Sequence, residues 1–283
     1  ISEAWLDRVQ EVLDYAVDDD MYVILNIHHD TDKEYCYPDK EHLEQSLSYM
    51  TFIWEQLADR FGDYDEHVIF ESINEPRLVE TDHEWWLDMN AAECVEAVEC
   101  INEWNQNFVD VVRKTGGNNA TRYLMVPGYD ASADGVLNDK FVLPTDTAEN
   151  EGKILVSVHA YIPYHFALQA ATENESIDQF NASEKTSTND IDQMMEKLYA
   201  KYISNEIPVV IGEFGARDKN GNLQSRVDYA AYYIAAARAY GMSCNWWDNN
   251  AFTGDGELFG LLDRKTVTWR YPKIVDALMK YAE

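Results

Sequence analysis

Residues 67–77 read HVIFESINEPR, and they give the clearest indication of the fold. Its first part, His67–Ile73, is a short and nearly continuous apolar run, which indicates a strand buried on both faces. An asparagine, a glutamate, a proline and an arginine follow directly. In parallel α/β sheets the carboxyl ends of the strands carry the chemistry, so this stretch predicts both a buried strand and a reactive edge.

The same unit, an apolar strand followed by a helix, recurs along the chain. Strands are predicted at Tyr22–His28, His67–Ile73, Arg122–Pro127, Lys153–Ala160, Pro208–Glu213 and Ser243–Trp247. Helical periodicity covers residues 1–17, Glu41–Phe61, Ala92–Lys114, Asp190–Asn205, Gln224–Tyr240 and Tyr271–Tyr281. The polar segment Asn174–Asn189 is predicted to be a long loop.

Alternating strands and helices imply a parallel sheet with right-handed crossovers. A closed (β/α)8 barrel needs eight strands, and six are predicted. The chain opens on a helix and ends with a helix, so we expect the deficit at the N-terminus. The predicted fold class is therefore α/β, a (β/α)8 TIM barrel lacking its first two strands and first helix. Residues 1–283 are expected to form a single domain, a partial barrel.

Composition limits the partners. The chain has 22 Lys and Arg against 52 Asp and Glu, a formal net charge of −30, which repels nucleic acid and anionic membranes but not a neutral polymer. No apolar run is long enough to span a membrane. The four cysteines contain no CxxC pair, so buried free thiols are expected rather than a zinc site. The amphipathic start of the sequence, residues 1–17, is expected to form a helix and not a signal peptide.

Two carboxylates stand out at the predicted strand ends. Glu75 follows VIFESIN, and Glu213 follows PVVIG. An apolar approach desolvates a carboxyl group and raises its pKa, which suits a proton donor near neutral pH. Single glutamates at such positions often cap helices or form ion pairs. A pair at the carboxyl edge of one barrel is the arrangement that cleaves glycosidic bonds.

Five strand-end motifs carry a family resemblance. ILNIHHD (24–30), FESINEPR (70–77), SVHAYIPY (157–164), VVIGEFGA (209–216) and NWWDN (245–249) resemble, in order, the motifs of family 5 glycoside hydrolases. More narrowly, they are similar to the endo-β-1,4-glucanase and xyloglucanase-like subgroup. The resemblance implies a (β/α)8 barrel, hydrolysis of a polysaccharide, no cofactor and no metal. It also implies an extracellular, monomeric catalytic domain.

The resemblance assigns roles residue by residue. Glu75 is implied to be the general acid/base and Glu213 the nucleophile of a retaining, double-displacement mechanism. Asn74 is implied to bind the sugar 2-hydroxyl, and Tyr161 to donate a hydrogen bond to the nucleophile. The remaining implied substrate contacts are His28, His159 and Trp247. The family also has an arginine at the end of its second strand, and no position here matches it.

Further histidines and aromatic residues lie outside these assignments. Adjacent strand residues point to opposite faces, so His28 and His29 are not expected to share a metal ion, and His29 is expected to support the site or contact sugar. Trp85 and Trp86 are expected to line a glycan groove or to pack at a helix start. Further aromatic contacts are expected in the strand-end loops, at Tyr35, Tyr37, Tyr129, Tyr164 and Phe252. Tryptophans on helices, Trp5, Trp54 and Trp104, are expected in the core.

Three alternatives stay open. One is a mannanase or xylanase of the same fold, which the sequence does not separate from a glucanase because subsite loops decide the glycan. Another is a non-catalytic carbohydrate-binding barrel, although both carboxylates are retained. The last is a purely structural fragment that does not fold on its own.

Overall fold

The computed structural model describes residues 1–254 and 256–282. Its helices are α1 Glu3–Asp18, α2 Leu43–Arg60, α3 Ala92–Lys114, α4 Ala133–Leu137, α5 Tyr164–Ala167, α6 Lys185–Lys201, α7 Leu223–Ala239 and α8 Pro272–Ala282. Its strands are β1 Val23–Asn26, β2 Val68–Glu71, β3 Leu124–Pro127, β4 Ile154–His159, β5 Val209–Phe214, β6 Ser243–Trp246, β7 Leu262–Asp263 and β8 Thr268–Trp269. Short 3-10 turns lie at Gly117–Ala120, Tyr129–Ala131, Ala148–Asn150 and Ile203–Asn205.

The first compact unit, Ile1–Val158, is a parallel βα repeat. Strands β1 to β4 are neighbours in sequence order, and β1 pairs with β2 in the register Val23↔Val68 to Asn26↔Glu71. Every residue of β2 and of β3 is buried, because helices cover the sheet. Trp54 of α2 lies against Phe108 of α3 with ring centroids 4.6 Å apart.

The second compact unit begins at His159. Strands β5 and β6 run parallel, and α7 follows β5. Helix α8 packs on α7 through a small core of Ala230, Leu261, Ile274 and Ala277. The antiparallel pair β7–β8 was not predicted, because strands of two residues carry no periodic signal.

The predicted elements are largely confirmed, with boundaries shifted by a few residues. All six predicted strands are present and parallel to their neighbours within each unit. Asn174–Asn189 is wrong as a continuous loop, because α6 begins at Lys185. Thr188 lies on the buried side of α6 three residues before the buried Ile191, so a polar residue continues the apolar face.

Of the three helical tryptophans predicted in the core, two are buried and one is exposed. Trp54 and Trp104 are fully buried, as predicted. Trp5 is 62% exposed, so its placement in the core was wrong: the neighbouring Leu6 takes the inward position of α1 together with Leu13. Among the described residues, no helix combines the length and the apolar character needed to cross a membrane.

Candidate active site

The predicted site residues fall into two groups, one in each unit. In the first unit, β2 ends at Glu71 and not at Glu75, which lies four residues later in a loop. The backbone N–H of Ser72 donates to the carbonyl of Met125, and that of Asn74 to the carbonyl of Ile27. These two bonds hold the loop in line with β2 although the strand itself has ended. The loop therefore carries Asn74 and Glu75 past the edge of the sheet.

A second loop supports the one that carries Glu75. The backbone N–H of Asp130 donates to the carbonyl of Pro76 (2.8 Å), and the hydroxyl of Tyr129 accepts from the N–H of Leu78 (3.0 Å). Asp130 has a φ of 55°, a left-handed conformation that is uncommon outside glycine. At Gly128 a Cβ atom would lie 2.5 Å from the backbone of Gly135, so this loop folds tightly on itself. Tyr129 is fully buried here, so it is not a surface contact for sugar.

Arg77 is the cation beside Glu75. Its Nη1 donates to the carbonyl oxygen of Glu75 (2.9 Å) and lies 3.8 Å from the carboxylate Oε2 of the same residue. Its Nε donates to Glu84 Oε1 (3.4 Å). The guanidinium carbon lies 4.0 Å from the ring centroid of Trp85. Arg77 therefore joins the half-buried Glu75 to an aromatic surface, a link that the sequence did not reveal.

Trp85 and its neighbour Trp86 are 53% and 64% exposed. Packing at a helix start does not explain this exposure, because α3 begins only at Ala92. An exposed indole whose other face is backed by a guanidinium is suited to stack on the C–H face of a sugar. That Trp85 binds substrate stays a prediction.

The two histidines of the ILNIHHD motif lie beyond the end of β1, which stops at Asn26. The alternation of a strand therefore does not apply to His28 and His29. Their rings instead contact each other edge to face, with centroids 4.5 Å apart. His28 is half-buried and His29 exposed. Their sugar contacts stay predictions.

In the second unit, Glu213 lies within β5, one residue before the strand ends at Phe214. The carbonyl of Glu213 accepts from the N–H of Ala160 (2.9 Å), which holds the residue after His159 beside β5. The residue as a whole is 9% exposed. Its Oε2 accepts a hydrogen bond from the Tyr161 hydroxyl (2.6 Å) and lies 3.7 Å from His159 Nδ1. Two of the predicted site residues thus converge on the predicted nucleophile.

The end of β6, with the predicted Trp247, is held partly by residues that the sequence did not single out, Phe214 and Phe259. The N–H of Trp247 donates to the carbonyl of Phe214 (2.9 Å), and Trp246 Nε1 donates to the carbonyl of Phe259 (3.1 Å). The ring of Phe259 lies 5.2 Å from that of Tyr161. Asp248 accepts from the backbone N–H groups of Leu261 and Leu262 (3.0 Å each), which closes the loop after β6.

In the first unit, Asp39, Glu41 and His42 bring possible metal-ligand atoms within 4.8 Å of one another. Asp39 Oδ1 already accepts from the backbone N–H of His42 and contacts its Nδ1, both at 2.7 Å. These contacts lie in the turn that precedes α2. They give no separate support for an ion.

Comparisons with known proteins cover the whole chain. The family model described as Cellulase (glycosyl hydrolase family 5) matches residues 1–253. Endoglucanase B of Ruminococcus albus is 42% identical over 283 residues, and Endoglucanase B of Neocallimastix patriciarum is 42% identical over 281. The chain spans 64% and 55% of the length of these two relatives, against 100% and 99% of its own.

Solved structures agree with this result. A family 5 lichenase from Caldicellulosiruptor sp. F32 is 60% identical with a TM-score of 0.98, covering 100% of this chain and 76% of the lichenase chain. A mutant of that lichenase was solved in complex with cellotetraose. A broad specificity endoglucanase from Ruminococcus champanellensis with bound cellotriose is 45% identical with a TM-score of 0.88, covering 99% and 76%. These likenesses confirm the predicted fold class, a partial (β/α)8 barrel.

Proposed function

The chain belongs to glycosyl hydrolase family 5, the cellulase family, and on that premise we propose that it carries the catalytic residues of a retaining endo-β-1,4-glucanase. The observation that carries this proposal is the setting of Glu213. A nearly buried carboxylate, held by a tyrosine hydroxyl at 2.6 Å and faced by a histidine at 3.7 Å, has the fixed position that a nucleophile requires.

In the first step, Glu213 attacks the anomeric carbon while Glu75 gives its proton to the leaving oxygen. The bond between the two sugars breaks, and a bond from the carboxylate of Glu213 to the anomeric carbon forms. The contacts at Oε2 fix the rotation of the attacking carboxylate. The Arg77 guanidinium, 3.8 Å from Glu75, stabilises the carboxylate that Glu75 becomes once its proton has left.

In the second step, Glu75 takes a proton from water as the water attacks the anomeric carbon. Glu213 leaves as a carboxylate, and Tyr161 stabilises its returning charge. Inversion occurs at both steps, so the configuration of the sugar is retained. All atoms come from the substrate, water and these two glutamates, and the proposal includes no cofactor or metal.

The proposed substrate is a neutral β-glucan: cellulose, mixed-linkage glucan or xyloglucan. The cellotetraose and cellotriose bound by related enzymes support a β-1,4-linked glucose chain. We assign sugar contacts to His28, Asn74, His159, Tyr161 and Trp247, and also to His29 and Trp85. The net charge of −30 suits an uncharged polymer. A monomeric, secreted protein is part of the same proposal.

Activity assays on a panel of polysaccharides test this function. Wild type is expected to cleave β-glucans within their chains, which creates new reducing ends that the assay detects. In Glu75→Gln and Glu213→Gln the kcat is expected to fall at least about a thousandfold. Matched controls are Glu66→Gln and Glu206→Gln, which change exposed glutamates just before β2 and β5.

The alternatives predict other results. Preferred turnover of mannan or xylan would replace the glucanase by another hydrolase of this fold. Glycan binding without turnover in wild type, undiminished in Glu213→Gln, would favour a non-catalytic carbohydrate-binding barrel.

A further inference from the structure

The first unit contains a third glutamate that the proposed mechanism does not use. Glu71 is the last residue of β2 and is only 2% exposed. A buried carboxyl group is costly unless its oxygens are hydrogen-bonded, so its position asks for a role. Its register partner on β1 is Asn26, and both side chains lie at the edge from which Asn74 follows.

Three side chains form a continuous series. Asn26 Nδ2 donates to Glu71 Oε2 at 2.8 Å, and the same nitrogen donates to Asn74 Oδ1 at 3.5 Å. The backbone of Asn74 is fixed independently, because its N–H donates to the carbonyl of Ile27 at 2.8 Å. Asn74 is 5% exposed, so its amide has little room for another position.

The order of donors and acceptors gives the series a direction. An amide side chain fills the same space when rotated by 180°, but its donor and acceptor ends exchange places. A carboxylate only accepts, so Glu71 selects the orientation in which Asn26 turns its NH2 group inward. The second hydrogen of that group then selects the orientation of Asn74 in which Oδ1 faces Asn26. The NH2 group of Asn74 is consequently directed away from Asn26.

We infer that Glu71 is a positioning residue: through Asn26 it fixes the amide of Asn74 so that Asn74 offers a hydrogen-bond donor to the sugar. This inference rests on the proposed function, in which Asn74 binds the 2-hydroxyl of the reacting sugar. That hydroxyl has one proton to donate, and the carboxylate of the nucleophile is available to accept it as a hydrogen bond. The hydroxyl oxygen then needs a donor from the protein, which a rotated Asn74 would not supply.

The test compares two dinitrophenyl β-cellobiosides in the full chain. One is the ordinary glycoside, and the other lacks the 2-hydroxyl on the glucose that bears the dinitrophenyl group. The kcat/KM of the ordinary glycoside divided by that of the deoxy glycoside measures how much this hydroxyl contributes to catalysis. Comparing that ratio between variants cancels the different intrinsic reactivities of the two compounds.

In Glu71→Gln the ratio is expected to fall on the order of tenfold relative to wild type, because a glutamine amide can donate to Asn26 and rotate the series. Asn74→Ala should show a loss of similar size, and Glu66→Gln should show none. If Glu71→Gln does not fold, Asn26→Ala breaks the series at its middle and should lower the same ratio. Circular dichroism establishes which variants are folded.

The outcomes separate the two proposals. If wild type and Glu71→Gln share one ratio while Asn74→Ala lowers it, the inference is overturned and the proposed function stands. An equal loss on both glycosides in Glu71→Gln would also overturn it, since a purely structural role affects both alike. If wild type cleaves neither glycoside, or Asn74→Ala keeps the wild-type ratio, the proposed role of Asn74 fails, and the inference fails with it.

Discussion

Replacing Tyr161 by phenylalanine removes one hydrogen bond from Glu213 and leaves the ring in place. The lost bond is 2.6 Å long and ends on a carboxylate oxygen. A hydrogen bond to a charged group contributes about 1.5–3 kcal/mol, equivalent to about 10- to 150-fold in rate where the whole contribution acts at the transition state.

The two chemical steps feel this loss differently. In the first step Glu213 gives up its negative charge, so the bond from Tyr161 is stronger before the transition state than at it. In the second step Glu213 leaves as a carboxylate, and the bond strengthens as charge returns. Tyr161→Phe should therefore slow the release of the sugar by about 10- to 150-fold, whereas the first step should not be slowed. The covalent intermediate then accumulates, and both kcat and KM fall.

Rapid-mixing kinetics with dinitrophenyl β-cellobioside measure this directly. A burst of dinitrophenol approaching one equivalent per enzyme should precede a slow steady state in Tyr161→Phe. The matched control is Tyr271→Phe, because the Tyr271 hydroxyl also donates to a carboxylate, that of Asp218, at 2.6 Å. The reasoning is refuted if Tyr161→Phe keeps kcat within about twofold of wild type, or if the control shows the same burst.

Further predictions concern stability and substrate contact. Burial lowers the pKa of Lys219 from 10.5 to about 8, so the unfolded chain binds this proton more tightly than the folded chain does. As the pH rises from about 8 to about 10.5, the free energy of unfolding of wild type should therefore increase relative to that of Lys219→Met by up to ~3 kcal/mol. Urea unfolding across that range checks this, and a constant difference would contradict it. Arg122 is 2% exposed and donates to five carbonyl groups and to Asn119. The free energy of unfolding should therefore fall by ~3 kcal/mol in Arg122→Lys and hardly change in the control Arg238→Lys, which alters an exposed arginine. Equal urea midpoints for the two variants would contradict this prediction. Trp85→Ala should raise KM for cello-oligosaccharides about fivefold at nearly constant kcat; a lower kcat at constant KM would place Trp85 elsewhere in the mechanism.

The strands were predictable because burial leaves a direct mark on composition. The run from Val68 to Phe70 is apolar at every position, and each of these residues is buried. Strand ends were less predictable, because burial continues beyond strand pairing: Ile73 is fully buried in the loop after β2. The apolar pattern therefore placed the end of this strand at Ile73, two residues too late, and Glu75 lies in a loop.

Contacts between distant residues were the least predictable part of the candidate site. Asn26 and Glu71 meet only because β1 and β2 pair in one particular register, and nothing in either stretch alone fixes that register. The stacking of Arg77 on Trp85 depends on the path of a loop. Tyr37 and Tyr129 follow strands in sequence, but they are buried, so aromatic character alone did not distinguish core from surface.

Trapping the covalent intermediate identifies the nucleophile. A dinitrophenyl 2-deoxy-2-fluoro-β-cellobioside should react once with the enzyme, and mass spectrometry of the digested protein should find one fluorocellobiosyl group on Glu213. A label on Glu75 would contradict the assignment of the two glutamates. Hydrolysis of β-glucan with inversion and without any covalent adduct would contradict the retaining mechanism itself.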